Sequence, residues 1–481
     1  MRHLALVTGI ILGIVTAYLC DPAQAQTPID CSIYDTDGDG WIGFGDLAWL
    51  GTCFNTGVST LSITQSRTTG VAPLAVHFRA VSSAAGDPFR ELSYVWSFGA
   101  SGPLAAHVFD VGTHVVTVDT GSAQATVEIV ATDPDALTTT CVANADTFEG
   151  CPSGAAHLET ASFGASVVGG GRILFRRGDT FTSSAQVTIT AAGPGLIGAF
   201  GTGAKPIINV TFPGTALMVA ADDWRISDLE FVGSNGAYSA IQEGATTSNT
   251  LIYRNTVSGF ISAINFSGSG PKYLGTPPHD GAALVENTIT NGPDTIYFSG
   301  SNAALVGNTI TGIPESTHAI RIGDASDGLV IAGNDVGGAS IHALKLHAQA
   351  VGPGQRDTTD FAITGNTFRG RGAWTVGIGP QDAFKDERVR HGVIDGNTFV
   401  SASGVVAQLV LWTQDVTARN NRFELCGTNG GHGIILGQRG IEPLPSGNVI
   451  EGSTCVGGGE CVRVDVAGSA TVSGTTTEGC P

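Results

Sequence analysis

Seven stretches of the chain share one alternation of apolar and polar positions. They read SAINFSG (262–268), DTIYFSG (294–300), HAIRIGD (318–324), HALKLHA (342–348), WTVGIGP (374–380), AQLVLWT (407–413) and HGIILGQ (432–438). A strand sends successive side chains to opposite faces, so apolar residues two apart mark one buried face. The pairs Ile264/Phe266, Ile296/Phe298, Ile320/Ile322, Leu344/Leu346, Val376/Ile378, Leu409/Leu411 and Ile434/Leu436 are therefore expected to point inward. The residue between each pair then points outward: Asn265, Tyr297, Arg321, Lys345, Gly377, Val410 and Ile435. The next outward position reads Ser267, Ser299, Gly323, His347, Gly379, Trp412 and Gly437.

An asparagine recurs between these strands, in LVENTITNG, LVGNTITGI, FAITGNTFRG and VTARNNRFEL among others. Asn255, Asn287, Asn308, Asn334, Asn366, Asn397 and Asn421 follow one another at intervals of 21 (Asn287 to Asn308) to 32 residues (Asn255 to Asn287). A period of that size predicts a solenoid. Short β-branched strands, Asn/Gly turns and the absence of a helical period make it a parallel β-helix. Asparagines stacked coil over coil would hydrogen-bond along the turn, and they are read as structural.

Before the solenoid, PLAVHF, LSYVWSFGA and GTHVVTV alternate apolar and polar residues between Gly and Pro, as in a small β-sandwich. The expected fold class is mainly β. A signal segment spans 1–25, a short calcium-loop segment 26–57, a β-sandwich 58–132, and a right-handed parallel β-helix 133–481.

Composition agrees with this reading. The chain has 481 residues, of which 68 are Gly and 2 are Met, with only 14% charged, a balance of turns and strands rather than helices. The formal net charge of −19 disfavours nucleic acid and anionic membrane as partners. It opposes an acidic polysaccharide too, unless a local basic patch overrides it. The basic start and apolar run of MRHLALVTGIILGIVTAYLC, followed by Ala-Gln-Ala at 23–25, predict export with cleavage after Ala25. A lipid anchor on Cys20 fits the preceding residues less well. No later apolar run is long enough to span a bilayer. Eight cysteines would remain, and export favours disulfides. Cys31–Cys53 and Cys141–Cys151 are expected as local loops, with the pairing of Cys426, Cys455, Cys461 and Cys480 open.

In DTDGDGWIGFGD (35–46), Asp35, Asp37 and Asp39 occupy loop positions 1, 3 and 5, and Gly40 the sharp turn at 6. Trp41 would offer its carbonyl, and Asp46 closes the loop at position 12. Hard oxygens at this spacing wrap a calcium ion. The loop resembles an EF-hand, and with the LAWL that follows it resembles one half of a dockerin. Dockerins carry two such loops. A single loop implies a calcium-clamped segment rather than docking to a cohesin partner.

The sandwich resembles a polycystic-kidney-disease-type (PKD) domain through Trp96, Phe98 and Gly99, then His107, Phe109, Gly112, Thr113 and Val116. Ser97 and Ala100 stand where that family has aspartates. Such domains imply a spacer or weak binding module beside an exported enzyme. The repeats, opening with RILFRRGDTF at 172–181, resemble the pectate-lyase-like superfamily of parallel β-helices. That fold hosts lyases, hydrolases, epimerases and adhesins, so the activity must be argued from side chains.

Adjacent coils of a β-stack lie about 4.8 Å apart. Tyr297, Arg321 and Lys345 should therefore form one outward column, with His347 beside Lys345 and with Gly323, Gly377, Gly379 and Ser299 leaving a groove. These residues suit β-elimination from a uronate, in which a carboxylate must be neutralised and a proton α to it removed. Arg321 matches the carboxylate as a fork. Lys345 is the expected base, since a dry groove and a neighbouring guanidinium favour the neutral amine. Tyr297 or His347 could instead be the base, or the acid. Asn265, His318, His342, Trp374 and Trp412 are expected to contact the sugar chain. The resemblance also implies calcium at the carboxylate, for which Asp294, Asp324 and Asp327 are the nearest candidates. Residues 380–391 (PQDAFKDERVRH) read as a loop beside the groove.

Two other classes stay open. GGHGIILG (430–437) resembles the Gly-His-Gly strand of polygalacturonase-type hydrolases, with His432 and Arg463 as candidates. Inverting hydrolysis needs a carboxylate pair holding a water, which the strands just before do not supply. A non-catalytic glycan-binding β-helix would use Trp374 and Trp412 as stacking platforms. The calcium loop makes one prediction of its own. Calorimetry of residues 26–57 should show calcium binding in roughly the micromolar to millimolar range, abolished by Asp37→Ala.

Overall fold

The computed structural model describes residues 60–481 apart from 84–87, 91–92, 168–169, 235, 245–246, 267–278, 291–293, 312–317, 324–325, 340–341, 348–356, 381–387, 402–404, 427–430, 438–443, 458 and 481. The signal segment, Cys31, Cys53 and the loop of Asp35, Asp37, Asp39, Trp41 and Asp46 lie outside these residues.

From Thr139 onward the described strands fall into three long parallel sheets, here sheets I, II and III, of 14, 12 and 11 strands, with Thr247–Ser248 and His279–Asp280 as a separate parallel pair. Each coil gives one strand to each sheet in turn. One coil, for example, runs Ala304–Val306 (sheet I), Thr309–Thr311 (sheet II), His318–Ile322 (sheet III). This is a right-handed parallel β-helix. The seven aligned strands all belong to sheet III. They are the third strand of each coil, and a short sheet II strand separates them from the asparagine turn.

The bend between sheets I and II carries the asparagine ladder. The residue before each asparagine is left-handed, at φ of 53–65° for Arg254, Glu286, Gly307, Gly333, Gly365, Gly396 and Asn420. Gly takes that conformation without strain, and Arg254 and Glu286, which do not, are tied to each other by a 2.8 Å ion pair. Each asparagine bridges three coils. In the middle of the ladder, the Asn334 backbone N–H and Nδ2 both donate to Asn366 Oδ1, at 2.9 Å each. Nδ2 also donates to Leu305 O in the coil before, at 2.9 Å. Asn334 Oδ1 accepts from both Asn308 nitrogens, again at 2.9 Å. The ladder runs unbroken from Asn255 to Asn421, and every member is at most 1% exposed.

Inside the solenoid, parity decides burial. Ile264, Ile296, Ile320, Leu344, Val376, Leu409 and Ile434 are all at most 1% exposed and register coil on coil. In sheet II, Phe368, Phe399 and Phe423 stack with centroids 5.6 and 4.8 Å apart. Cys141–Cys151 closes the first coil; Cys426–Cys480 and Cys455–Cys461 staple the last ones.

Residues 61–132 build two small sheets, one of Leu61–Gln65, Leu74–Ser82 and Leu104–Phe109, the other of Thr69–Val71, Gln124–Thr132, Gly112–Asp119 and Val95–Trp96. Leu74, Val76, Phe78, Trp96, Val116 and Ile129 are buried between them. The outer face of the first small sheet packs on the outer face of sheet I. Ala75, Leu104 and Ala106 meet Leu251, Ala283, Ala304, Val330, Ala362 and Val393, and the small side chains on sheet I permit the close approach. Arg225, 0% exposed, pins the seam by donating to the Val71 carbonyl at 2.9 Å while paired with Asp223 at 3.0 Å.

The ladder predicts a sharp cost for a single truncation. Asn334→Ala leaves the buried Asn308 backbone N–H without its acceptor and should destabilise the protein by about 3 kcal/mol. Denaturant unfolding measures it, and the neighbouring substitution Asp335→Asn, which removes only a half-exposed ion pair with Arg369, should change little.

Candidate functional site

Sheet III carries an outward column on the coils that follow Asn255. The register pairs Asn265 with Tyr297, Tyr297 with Arg321, Arg321 with Lys345, and Lys345 with Gly377. The Arg321 guanidinium lies over the Tyr297 ring, 5.1 Å from its centroid. Arg321 Nε donates to His347 Nε2 at 3.3 Å. Lys345 Nζ donates to the Gly379 carbonyl at 3.4 Å. Tyr297, Arg321 and His347 are thus joined by two connected contacts, and Lys345 stands beside Arg321 by register.

The column is not an open groove. Lys345 is 7% exposed, His347 0% and Asn265 8%, while Tyr297 and Arg321 are half-buried. The glycines make room for side chains of adjacent coils. A Cβ on Gly323 would overlap the Tyr297 hydroxyl, and one on Gly379 would overlap Trp412. A Cβ on Gly377 would sit in ordinary contact, 3.5 Å from Lys345 Cδ and 3.8 Å from Trp374 Cε3. Ser299 is fully buried and donates to the Phe266 carbonyl at 3.0 Å. Outward parity gave the neighbours of each side chain but not its exposure.

A second row of rings starts these strands. His318 registers with His342, and their rings stack 5.4 Å apart. His342 stacks on Trp374 at 5.5 Å and 18°, and its Nδ1 lies 3.1 Å from the Trp374 carbonyl. Trp374 meets Trp412 edge-on at 6.3 Å. Trp412 is 4% exposed and packs with Ala407, Val410 and Ile435, so in this conformation Trp374 is the indole with surface to offer. His432 lies further along the sheet, paired in register with Ala407. Arg463 is engaged by Asp465 at 2.7 Å. Of the loop 380–391, residues 381–387 lie outside the described residues.

No group of three or more His, Cys, Asp or Glu gathers as a metal site among the described residues. Asp327 faces the sandwich instead, paired with Arg79 at 3.2 Å, and the side chains of Asp294 and Asp324 lie outside the described set.

One polar constellation has no counterpart in the sequence reading. Glu243, 0% exposed, ends the strand Ser239–Glu243 with its side chain turned inward, in register with buried Val219. Its Oε2 lies 3.1 Å from His279 Nδ1. Oε1 accepts from the hydroxyls of Thr247 and of Thr250, the latter at 2.9 Å. Burial holds the Glu243 carboxyl well above the usual carboxylate range and pushes the His279 imidazole down to about 4. Burial thus disfavours charge on both groups. The signal was available in part: in SAIQE the glutamate shares the inward parity of Ile241. His279 lies on a strand of two residues and carries no pattern.

The glycines give a paired prediction. Gly323→Ala should push the Tyr297 ring off Arg321 and lower thermal stability, whereas Gly377→Ala should melt within about 0.5 kcal/mol of wild type. Thermal denaturation of both variants, with the Tyr297 near-ultraviolet signal, measures the difference.

A family model described as a right-handed β-helix region matches residues 239–423, a span that contains the whole asparagine ladder. No curated protein matches the sequence. Among solved structures, the chain is similar to a GH136 lacto-N-biosidase from Eubacterium ramulus, at 12% identity and TM-score 0.42 over 71% of this chain and 68% of that one. It is similar to a tailspike protein of an E. coli bacteriophage in complex with a hexasaccharide, at 11% identity and TM-score 0.47 over 69% and 64% of the two chains. It is also similar to an alginate lyase, at 13% identity and TM-score 0.40 over 65% and 81%. The fold, a right-handed parallel β-helix, is what the geometry and the matched family model share.

Proposed function

We propose that this protein is an exported, carbohydrate-active β-helix protein that cleaves a uronic-acid polymer by β-elimination. The observation that carries the reading is the Tyr297–Arg321–Lys345 column, with Arg321 held between the Tyr297 ring and His347. It concentrates cationic side chains on one face of a chain whose net charge is −19, as an anionic substrate requires.

The roles follow from the contacts. Arg321 receives the uronate carboxylate, whose charge grows as the α proton leaves, so the guanidinium binds the transition state more tightly than the ground state. Lys345, as the free amine, takes that proton. The electron pair forms the C4–C5 double bond and expels the glycosidic oxygen. Tyr297, across Arg321 from His347, is positioned to protonate that oxygen. His347 accepts from Arg321 through Nε2, so it acts as a positioning residue for the guanidinium. Its one acceptor nitrogen is taken by Arg321 in that contact, which leaves the base role to Lys345. Asn265 and the His318–His342–Trp374 row extend the same face and would hold neighbouring sugars, with Trp412 supporting Trp374. Calcium belongs, in this proposal, to the loop of Asp35, Asp37, Asp39, Trp41 and Asp46, remote in sequence from the chemistry.

The burial of Lys345 and His347 favours a second reading. A column this covered offers a glycan little surface, so a non-catalytic β-helix would bind through Trp374, and catalysis at the column requires the cover to rearrange when substrate enters. Incubation with a panel of uronic-acid polymers, read by the ultraviolet absorbance of unsaturated product, separates the two. Lys345→Ala should lower kcat about 10²–10⁴-fold with glycan binding retained. Arg321→Ala should weaken both binding and rate. Wild-type rates for both variants would move the site away from the column. New reducing ends without the absorbance would assign a hydrolase, and binding without turnover the second reading.

A further inference from the structure

The open end of the sandwich holds a cleft that the sheet III column does not use. It measures about 450 Å³ and is lined by residues of both small sheets, among them Phe98, His107, Phe109, Asp110 and His114. Alternation brings the rings there. Along Leu104–Phe109, His107 and Phe109 share the core face with buried Ala105. Along Gly112–Asp119, His114 shares it with buried Val116 and Val118. The ring packing of the core therefore runs out to the cleft. His107 stacks on Phe98 at 4.7 Å and 18° and meets Phe109 edge-on at 4.8 Å, and the His114 ring lies 5.1 Å from Phe109.

The two imidazoles are the polar groups of this face, and both are half-buried rather than sealed. The His107 ring nitrogens keep accessible surface and have no hydrogen-bond partner among the described residues. His114 Nε2 lies 2.8 Å from the Asp110 carbonyl. A carbonyl only accepts, so Nε2 carries the proton and the neutral ring presents Nδ1 as an acceptor. Burial, with His114 nearby, lowers the His107 imidazole below the ordinary histidine range, against the pull of Glu286 and Asp110. The neutral ring offers one donor and one acceptor.

Charge then selects the ligand. Among the described residues no Lys or Arg lines the cleft, and the carboxylates of Glu286 and Asp110 both act on His107. An anion is opposed and a cation favoured. Two imidazoles fall short of the three protein ligands a zinc site takes, and no such group gathers among the described residues. The cation that fits is a protonated amine, whose N–H groups match imidazole acceptors. The His107 N–H asks for an acceptor beside it, such as a hydroxyl. The volume lies in the ~300–1,000 Å³ range of small-molecule pockets, with room for a ring.

We propose that this cleft binds an amino sugar, its ammonium donating to an imidazole nitrogen and a ring hydroxyl accepting from His107. It is a saccharide subsite on the sandwich, independent of the sheet III column and of the reaction proposed there.

The test uses the full chain and glucosamine as probe, followed through the His107 and His114 ring signals by nuclear magnetic resonance. Saturable shifts at millimolar glucosamine are expected. N-acetylglucosamine, the same ring without the charge, should bind about tenfold more weakly, and so should n-butylamine, the charge without the ring hydroxyls. His107→Phe, which keeps the stack on Phe98, should weaken glucosamine about tenfold, read at His114. Asp110→Asn, an exposed substitution, should weaken glucosamine about threefold and leave N-acetylglucosamine unchanged. No saturable shift up to about 100 mM glucosamine overturns the proposal. So does N-acetylglucosamine or n-butylamine binding as tightly as glucosamine, or wild-type affinity in both variants.

Discussion

The constraint on which the rest of this protein depends is the coil-to-coil register, held at the bend between sheets I and II by the asparagine ladder. An interior amide has four hydrogen-bonding capacities, and each ladder asparagine uses them on the coil before and the coil after. A slip of one residue would break these bonds along the whole stack and turn every inward Ile or Leu outward. The same register that buries Leu344 beneath Ile320 therefore sets Lys345 beside Arg321. Fold and candidate site are one consequence of one set of hydrogen bonds.

Polar groups in this solenoid are then sorted by what surrounds them. Where side chains from neighbouring coils supply partners, as for Arg321 between Tyr297 and His347, charge is kept and positioned. Where the surroundings are the lumen, charge is disfavoured: burial raises the Glu243 carboxyl and lowers the His279 imidazole. At the module seam the two outcomes stand side by side. Arg225 is fully buried yet paired with Asp223 and bonded to the Val71 carbonyl, whereas His77 is held neutral by burial. The seam also gives sheet I a different duty from sheet III, since its small outward residues such as Ala283, Ala304 and Ala362 are spent on docking the sandwich.

Much of this was legible in the sequence because a strand's period of two is strict. Ile320 and Leu344 could be placed inward, and Tyr297, Arg321 and Lys345 in one column, from alternation alone. The spacing of the asparagines carried their structural role. Exposure was not legible, because it depends on which neighbour fills the space a glycine leaves. Gly323 reads as a gap in sequence and as the berth of the Tyr297 ring in space. The sheet to which the aligned strands belong was hidden by the short strands, such as Thr309–Thr311, that precede them. His279 meets Glu243 only because coils of unequal length bring them together, which no local pattern encodes. The calcium loop lies outside the described residues and rests on its sequence.

The measurement that bears most directly on the central claim is a crystal structure of the Lys345→Ala variant with a bound uronate oligosaccharide. The account predicts a sugar carboxylate within hydrogen-bond distance of the Arg321 guanidinium, with the α carbon facing the space vacated by the lysine. An oligosaccharide seated on another face of the solenoid, with Arg321 still closed onto Tyr297 and His347, would contradict it.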